Sequence, residues 1–164
     1  MLSSLKPEML LMLVPLIAGF GASAICPANK NDPANPVYTP PGWVFGAVWA
    51  ILFMLLGYSW YRNSGDQKIM FVYSALVAAL IIWIPLTNCF NKKTEGVWMI
   101  ALCSTLTGVC MLLTSNVDRL LLMPLLAWLV FATVLSAITE NNRSSVCAAS
   151  HTSPMNLILM VPHA

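Results

Sequence analysis

A change in character occurs along Tyr38-Thr39-Pro40-Pro41-Gly42-Trp43-Val44-Phe45-Gly46-Ala47-Val48-Trp49, where a proline-rich segment gives way to an apolar segment rich in aromatic residues. Proline fixes its own φ angle and lacks an N–H donor, so the residues before Gly42 are predicted to be extended or in a turn. A helix N-terminus tolerates such prolines, because its first N–H groups have no intrahelical acceptor. The stretch therefore predicts a helix that begins at about Gly42 and carries Trp43 and Trp49.

These two tryptophans allow two interpretations. Aromatic side chains at the mouth of a helix can form a stacking surface for a flat ligand. Tryptophans at a membrane interface also anchor helices in an aromatic belt, which is their commoner use. Both interpretations place the start of this helix near a membrane surface.

Charged residues are scarce in this chain and confined to short stretches. Of its 164 residues, 59% are hydrophobic and 9% are charged, against roughly 25% charged in soluble domains. A helix needs about 20 apolar residues to cross a membrane, and a β-barrel would show shorter, alternating strands. The sequence therefore predicts an all-α membrane protein with five transmembrane helices. The charge-free windows are Met9–Asn29, Pro33–Tyr61, Ile69–Asn91, Gly96–Val117 and Leu120–Thr139.

The predicted organisation is one transmembrane domain, residues 1–139, followed by a tail. Five prolines stiffen the first loop, 26–41, which is interpreted either as a lid over one end of the bundle or as a plain solvated connector. The tail, 140–164, is predicted to be polar and disordered. The helices are expected at about 9–25, 42–61, 69–88, 96–115 and 120–139.

Several classes of function are disfavoured by the residues present. A net charge of +2 gives no indication of a nucleic-acid partner. Five cysteines without a C-x-x-C pair argue against a disulfide framework. Both histidines, His151 and His163, lie in the tail, so neither a metal site nor an axial haem ligand is predicted. No ionisable residue lies inside a span, so no general acid or base is evident.

The membrane orientation is left open by the positive-inside rule, which places Lys and Arg on the cytoplasmic side. The two sides of the predicted bundle carry equal numbers of basic residues. One side holds Lys6, Arg62, Lys68 and Arg119, and the other holds Lys30, Lys92, Lys93 and Arg143.

Three blocks of sequence carry a resemblance to a known family. They are Val14-Pro15 with Gly19-Phe20-Gly21-Ala22, then Pro40-Pro41-Gly42-Trp43-Val44-Phe45-Gly46 with Trp49 and Gly57-Tyr58, and finally Leu121–Leu135, which is LLMPLLAWLVFATVL. In these blocks the chain resembles the translocator protein family, also called tryptophan-rich sensory proteins or peripheral-type benzodiazepine receptors. The second and third blocks fall on the second and fifth predicted helices, as they do in the family.

The resemblance implies a five-helix bundle, usually a homodimer, with a ligand pocket under the first loop. In the family that pocket binds porphyrins and, in many relatives, cholesterol and synthetic aromatic ligands. The porphyrin is a ligand there, and no cofactor is implied. The family occurs in bacterial and mitochondrial outer membranes, so the resemblance implies a mitochondrial or other organelle membrane. By matching positions, the ligand-binding residues would be Trp43, Trp49, Trp83, Trp128, Phe131, Ala132 and Leu135.

The chain departs from the family pattern on two helices. Alignment at Trp83 and Pro85 puts Leu76 and Leu80 where the family often has Gln and Asn facing the pocket. Two polar ligand contacts are therefore absent. On helix 5 the family's cholesterol motif ends in Asn-Tyr and a basic residue. This chain has Ser136-Ala137-Ile138 there, and the charged residue that comes next, Glu140, is acidic.

Three functions are carried forward from the sequence. The leading hypothesis is a membrane receptor or carrier for hydrophobic planar ligands such as tetrapyrroles, bound in a tryptophan-lined pocket. The alternative is a structural membrane module that recruits other membrane proteins and whose pocket has degenerated. The third is a membrane protein that degrades or photo-oxidises porphyrin. The expected partners are a hydrophobic small molecule, the lipid bilayer and a second copy of the chain.

Overall fold

The computed structural model describes residues 10–27 and 42–151, and these residues form helices joined by short turns. No strand occurs among them. The prediction of an all-α membrane bundle is confirmed, because four of the helices are long and apolar enough to cross a membrane. The helices are α1 (Val14–Ile25), α2 (Gly42–Arg62), α3 (Gln67–Asn88), α4 (Lys93–Leu113) and α5 (Asn116–His151).

The first helix is shorter than the sequence indicates. It has 12 residues and follows a turn at 11–13, so it is too short to cross the hydrocarbon core by itself. Pro15 lies in its first turn, where the missing N–H removes no intrahelical hydrogen bond. The predicted start at Met9 lies outside the described residues.

Side-chain hydrogen bonds of two different kinds mark the starts of α3 and α5. The Asp66 carboxylate accepts hydrogen bonds from the backbone N–H of Lys68 at 2.8 Å and of Ile69 at 3.4 Å, which satisfies donors of the first turn of α3. The hydroxyl of Ser115 donates to the Asp118 carboxylate at 2.6 Å where α5 begins. The Asp66 cap explains why α3 begins earlier than its apolar window alone predicts.

The five helices pack in a closed ring. The main contacts run from α1 to α2, from α2 to α5, from α5 to α4, from α4 to α3 and from α3 back to α1. The contact between α4 and α5 confirms that these helices are neighbours, as the minimal loop between them predicts. Large side chains fill the middle of the ring, and the fully buried ones include Leu56, Tyr73, Leu76, Leu80, Ile100, Leu122, Leu125 and Leu129.

Two glycines let α1 and α2 approach closely. A Cβ at Gly19 would overlap the ring of Phe53, and a Cβ at Gly57 would overlap the backbone carbonyl of Met12. Small residues have this role in many membrane helices, because association in lipid depends on close van der Waals packing. Gly19, one of the small residues of α1, therefore packs against α2 of the same chain.

The prediction of a disordered tail is wrong for residues 140–151. Helix α5 continues without interruption from Asn116 to His151, although its apolar span ends at Thr139. No proline or glycine follows Pro124 in this helix, so nothing in residues 125–151 interrupts its hydrogen bonds. Low hydrophobicity was a poor guide here, because a polar helix can extend beyond the bilayer. Residues 152–164 lie outside the described part of the chain.

The cysteines argue against a closed disulfide framework, and the sequence did not predict the disulfide that the structure contains. Cys26 and Cys89 are bonded to each other, with their Cα atoms 5.4 Å apart. Counting and spacing miss this pair because its members are far apart in the sequence and meet only where the parallel helices α1 and α3 both end. Cys103 and Cys110 are buried and free in α4, as expected of small packing residues.

Candidate functional site: an aromatic cluster between three helices

Trp49 of α2 lies among aromatic rings from α2, α3 and α5. Its ring centroid is 5.2 Å from that of Phe53, 6.2 Å from that of Trp83 and 6.5 Å from that of Trp128. Trp128 extends the group, with centroid distances of 5.3 Å to Phe45 and 5.4 Å to Phe131. We call this group the aromatic cluster. Its members are Phe45, Trp49, Phe53, Trp83, Trp128 and Phe131.

The rings are packed at angles and leave no slot for a flat molecule. Trp49 meets Trp128 edge to face, at 89°, and Trp83 at a tilt of 36°. A planar guest between two parallel faces needs about 7 Å, which is twice a carbon–carbon contact of about 3.5 Å. The centroids of Trp49 and Trp83 are 6.2 Å apart. A ligand at this place must therefore displace a ring or approach the cluster from its edge.

An open cavity adjoins the cluster on one side. It lies between α2 and α5 and has a volume of about 370 Å³. Trp128 and Phe131 form part of its wall, and the exposed side chains of Ile51 and Pro124 lie at the surface that faces lipid. The complete lining is Val48, Ile51, Leu52, Pro124, Ala127, Trp128 and Phe131.

Two indoles of the cluster hold buried hydrogen-bond donors that have no partner. The Nε1 atoms of Trp83 and Trp128 are inaccessible and make no hydrogen bond. Burying such a group unpaired costs about 1–3 kcal/mol. Gly96 of α4 lies beside one of them, since a Cβ there would be 3.7 Å from the Trp83 Nε1. The cluster therefore combines apolar ring surface with two donors that an acceptor on a bound molecule would satisfy.

The whole apolar part of the chain matches one family. Residues 10–139 match the sequence profile that defines the TspO/MBR family. The chain belongs to this family. A protein of Archaeoglobus fulgidus named tryptophan-rich protein TspO is 28% identical over 109 residues, which cover 62% of this chain and 71% of that protein. Because an archaeon carries a relative, membership of the TspO/MBR family does not imply a mitochondrial location.

The matched range contains all seven residues that the sequence predicts for the site, and the structure brings four of them together. Trp49, Trp83, Trp128 and Phe131 belong to the aromatic cluster. Ala132 is buried next to Phe131 along α5, and Leu135 is half-buried almost one turn further on. That these residues bind a ligand stays a prediction.

Trp43 lies apart from the cluster. Its side chain is 76% exposed in the first turn of α2. This exposure fits the belt interpretation rather than a place in the pocket. The first loop, 26–41, was interpreted as a lid over one end of the bundle or as a plain connector. Most of it, 28–41, lies outside the described residues.

Phe45 and Phe53 are not among the residues that the family motifs predict for the site. Both were detectable, because they lie four residues before and four residues after Trp49, and residues at this spacing share a helix face. Leu76 and Leu80, at the positions where the family often has polar residues, are buried in the core and supply no polar contact.

A second buried constellation lies at the other end of the bundle, where α2 ends and α5 begins. The Asp118 carboxylate is 2% exposed and accepts hydrogen bonds from the hydroxyl groups of Ser59, at 3.2 Å, and Ser115. Arg62 forms an ion pair with the same carboxylate at 3.1 Å, and Ser59 is also 2.7 Å from the Tyr73 hydroxyl. We call these five residues the Asp118 network. The S-x-x-D spacing of Ser115 and Asp118 is a helix-start signal that could have revealed it.

The Asp118 network has the character of a structural joint. Both oxygens of its carboxylate are occupied by side chains of α2 and the start of α5. Nowhere in residues 10–27 and 42–151 do three or more His, Cys, Asp or Glu side chains lie close enough to hold a metal ion. The aromatic cluster is therefore the better candidate for a ligand site.

Proposed function

We propose that this integral membrane protein is a receptor or carrier for hydrophobic planar ligands of the tetrapyrrole class, bound at the aromatic cluster. The observation that carries the proposal is that six aromatic rings from three helices meet here. Two of these rings, the indoles of Trp83 and Trp128, have buried and unpaired N–H groups. Ring faces and edges favour a flat π-system. The two N–H groups favour a ligand with carbonyl or carboxylate oxygens.

The route to the cluster is lateral, through the cavity between α2 and α5. Its volume of about 370 Å³ is within the range of small-molecule sites, about 300–1,000 Å³. Trp128 and Phe131 belong both to its wall and to the cluster. Movement of either ring would open the cluster to this cavity. An apolar ligand dissolved in lipid would then have a short path to the buried N–H groups of Trp83 and Trp128.

Sterols are weaker candidates than tetrapyrroles, and benzodiazepine-type compounds stay an expectation from the family resemblance. A sterol offers a single hydroxyl oxygen, whereas the two carboxylates of a porphyrin offer an acceptor group to each indole donor. The residues that end the family's cholesterol motif are also replaced at Ser136–Ile138 and Glu140. Assembly as a homodimer and residence in a mitochondrial or other organelle membrane stay expectations that come from the family resemblance.

The test is a titration of the purified protein with protoporphyrin, followed through the absorbance of the porphyrin and the quenching of tryptophan fluorescence. We expect saturable binding in the micromolar range and at least tenfold weaker binding by Trp49→Ala. The matched control is Trp98→Ala, because Trp98 is 75% exposed on α4 and has no place in the cluster. Equal losses in both variants would contradict the proposed site.

One observation favours the alternative of a structural membrane module. The cluster is closely packed, and Leu76 and Leu80 are buried in the core. A titration without saturation would support this alternative. The same experiment also tests enzymatic degradation: a covalent change of the porphyrin in the dark, or a photoproduct lost in Trp128→Phe, would favour it.

A further inference from the structure

The Cys26–Cys89 disulfide lies at one end of the bundle, which we call the loop end. This end holds the C-termini of α1 and α3 and the N-termini of α2 and α4. The Cα separation of 5.4 Å falls within the range of about 4.4–6.8 Å that disulfides need. A separate contact holds the same two helix ends together, because the Asn88 side chain donates to the Cys26 carbonyl at 3.0 Å.

The two bonded sulfur atoms have different surroundings. Cys26 is 5% exposed, whereas Cys89 is exposed at the end of α3. The free cysteines Cys103 and Cys110 are fully buried within α4. Cys89 is therefore the member of this bonded pair that a water-soluble reagent can reach.

Disulfides persist in oxidising compartments and are rare where glutathione and thioredoxin keep thiols reduced. The loop end and the end that holds the Asp118 network are separated by the length of α3, 22 residues, or about 33 Å at 1.5 Å per residue. That length crosses a bilayer, so the two ends face different compartments.

We propose that the Cys26–Cys89 bond forms in the living membrane, that the loop end faces a compartment that oxidises thiols, and that the end with the Asp118 network faces the reducing cytosol. The disulfide thus assigns the orientation that the basic residues leave open, since they are divided four to four. This orientation does not depend on which ligand the protein binds.

The bond forms by two exchange steps with an oxidised dithiol protein. The thiolate of the exposed Cys89 attacks the partner's disulfide and forms a mixed disulfide, which releases one partner thiolate. The thiolate of Cys26 then attacks the Cys89 sulfur and releases the second partner thiolate. Cys26 and Cys89 together lose two electrons and two protons, and the partner leaves as a dithiol.

The redox state is measured first, on the full chain in membranes of the cells that produce it. Free thiols are blocked with N-ethylmaleimide in detergent at lysis, the disulfides are then reduced, and the new thiols are labelled with polyethylene-glycol maleimide. We expect two labels on the wild-type chain, none on Cys89→Ser, and one on the fraction of Cys26→Ser that is trapped by a partner. We also expect Cys26→Ser to trap a mixed disulfide at the exposed Cys89, and Cys89→Ser to trap little. Absence of label on the wild-type chain would overturn the proposal.

The orientation is measured with single reporter cysteines in a Cys147→Ser background. Gly65→Cys places an exposed thiol beyond α2, where a Cβ has open space, and Asn141→Cys places one on the exposed extension of α5 at the loop end. In sealed vesicles whose cytosolic face points outward, an impermeant maleimide should label Gly65→Cys at once and Asn141→Cys only after detergent is added. The reverse pattern would overturn the assignment even if the disulfide is present.

Discussion

The aromatic cluster and the Asp118 network are both buried between helices, but they differ in how their polar groups are satisfied. In the Asp118 network the buried carboxylate has three partners, and the Ser59 and Tyr73 hydroxyls are paired. In the aromatic cluster two indole N–H groups have no partner. Buried polar groups that are paired hold helices together, whereas unpaired ones lower stability unless a ligand satisfies them. The pairing fits a structural role for the first region, and the two unpaired donors fit the ligand site proposed for the second. A third unpaired indole, that of Trp60, lies outside the cluster, so an unpaired donor alone does not mark a site.

Replacement of Asp118 should have the largest effect on stability. Asp118→Ala leaves the Arg62 guanidinium and two serine hydroxyls without their acceptor. We expect the free energy of unfolding to fall by about 2–4 kcal/mol, because hydrogen bonds to a buried carboxylate contribute about 1.5–3 kcal/mol each and the exposed Ser115 and Arg62 regain partners in water. Denaturant titration in detergent micelles measures the loss.

The control for Asp118→Ala is Lys92→Ala, which breaks an exposed pair with Glu95 and should change stability by less than about 0.5 kcal/mol. The porphyrin affinity of the folded Asp118→Ala protein should match that of the wild type. A large loss of porphyrin affinity would contradict the view that the Asp118 network is structural and separate from the ligand site.

The next largest effect is expected at Gly57, on the half of α2 nearer the Asp118 network. Gly57→Ala forces a Cβ against the backbone of Met12, which cannot move aside as a flexible side chain can. We expect a loss of about 1–3 kcal/mol of stability through overpacking between α1 and α2. Gly46→Ala is the matched control on the same helix, because open space surrounds its Cβ. Equal effects of the two variants would contradict the close approach of these helices.

Removal of a polar atom should have opposite consequences in the two regions. Trp128→Phe keeps an aromatic ring and deletes one unpaired donor, so binding of protoporphyrin should weaken by about fivefold, or roughly 1 kcal/mol. Binding of a porphyrin without carboxylates should change much less. Ser59→Ala deletes a group that is fully hydrogen-bonded, and it should lower stability by about 1 kcal/mol while affinity stays unchanged. Absorbance titration and thermal unfolding separate the two outcomes.

The smallest effect is expected at Trp43. Its side chain is 76% exposed, so Trp43→Ala should change porphyrin affinity by less than twofold, in contrast to Trp49→Ala. Isothermal titration in micelles checks the ratio. A loss as large as that of Trp49→Ala would extend the binding region from the cluster to the surface of the loop end.

Most of the candidate site was predictable from two features of the sequence, the family motifs and the helical spacing of aromatic residues. Trp49, Trp83, Trp128 and Phe131 were named from family motifs, and Phe45 and Phe53 follow from helical spacing around Trp49. Trp43 matches the same family motif, but it lies six residues before Trp49, so helical spacing puts the two on different sides of α2. The unpaired state of the Trp83 and Trp128 donors depends on what the other helices bring near them, so no motif predicts it.

The sequence by itself determined the helices, because in lipid each backbone N–H must bond within its own helix and the length of an apolar run sets the crossing. The start of α2 at Gly42 after two prolines and the four spanning helices depend on residues a few positions apart. Only the tertiary structure decided which rings meet Trp49, which donors lack a partner, and that Cys26 meets Cys89. These contacts join residues far apart in the chain, and they depend on the order and rotation of helices in the ring.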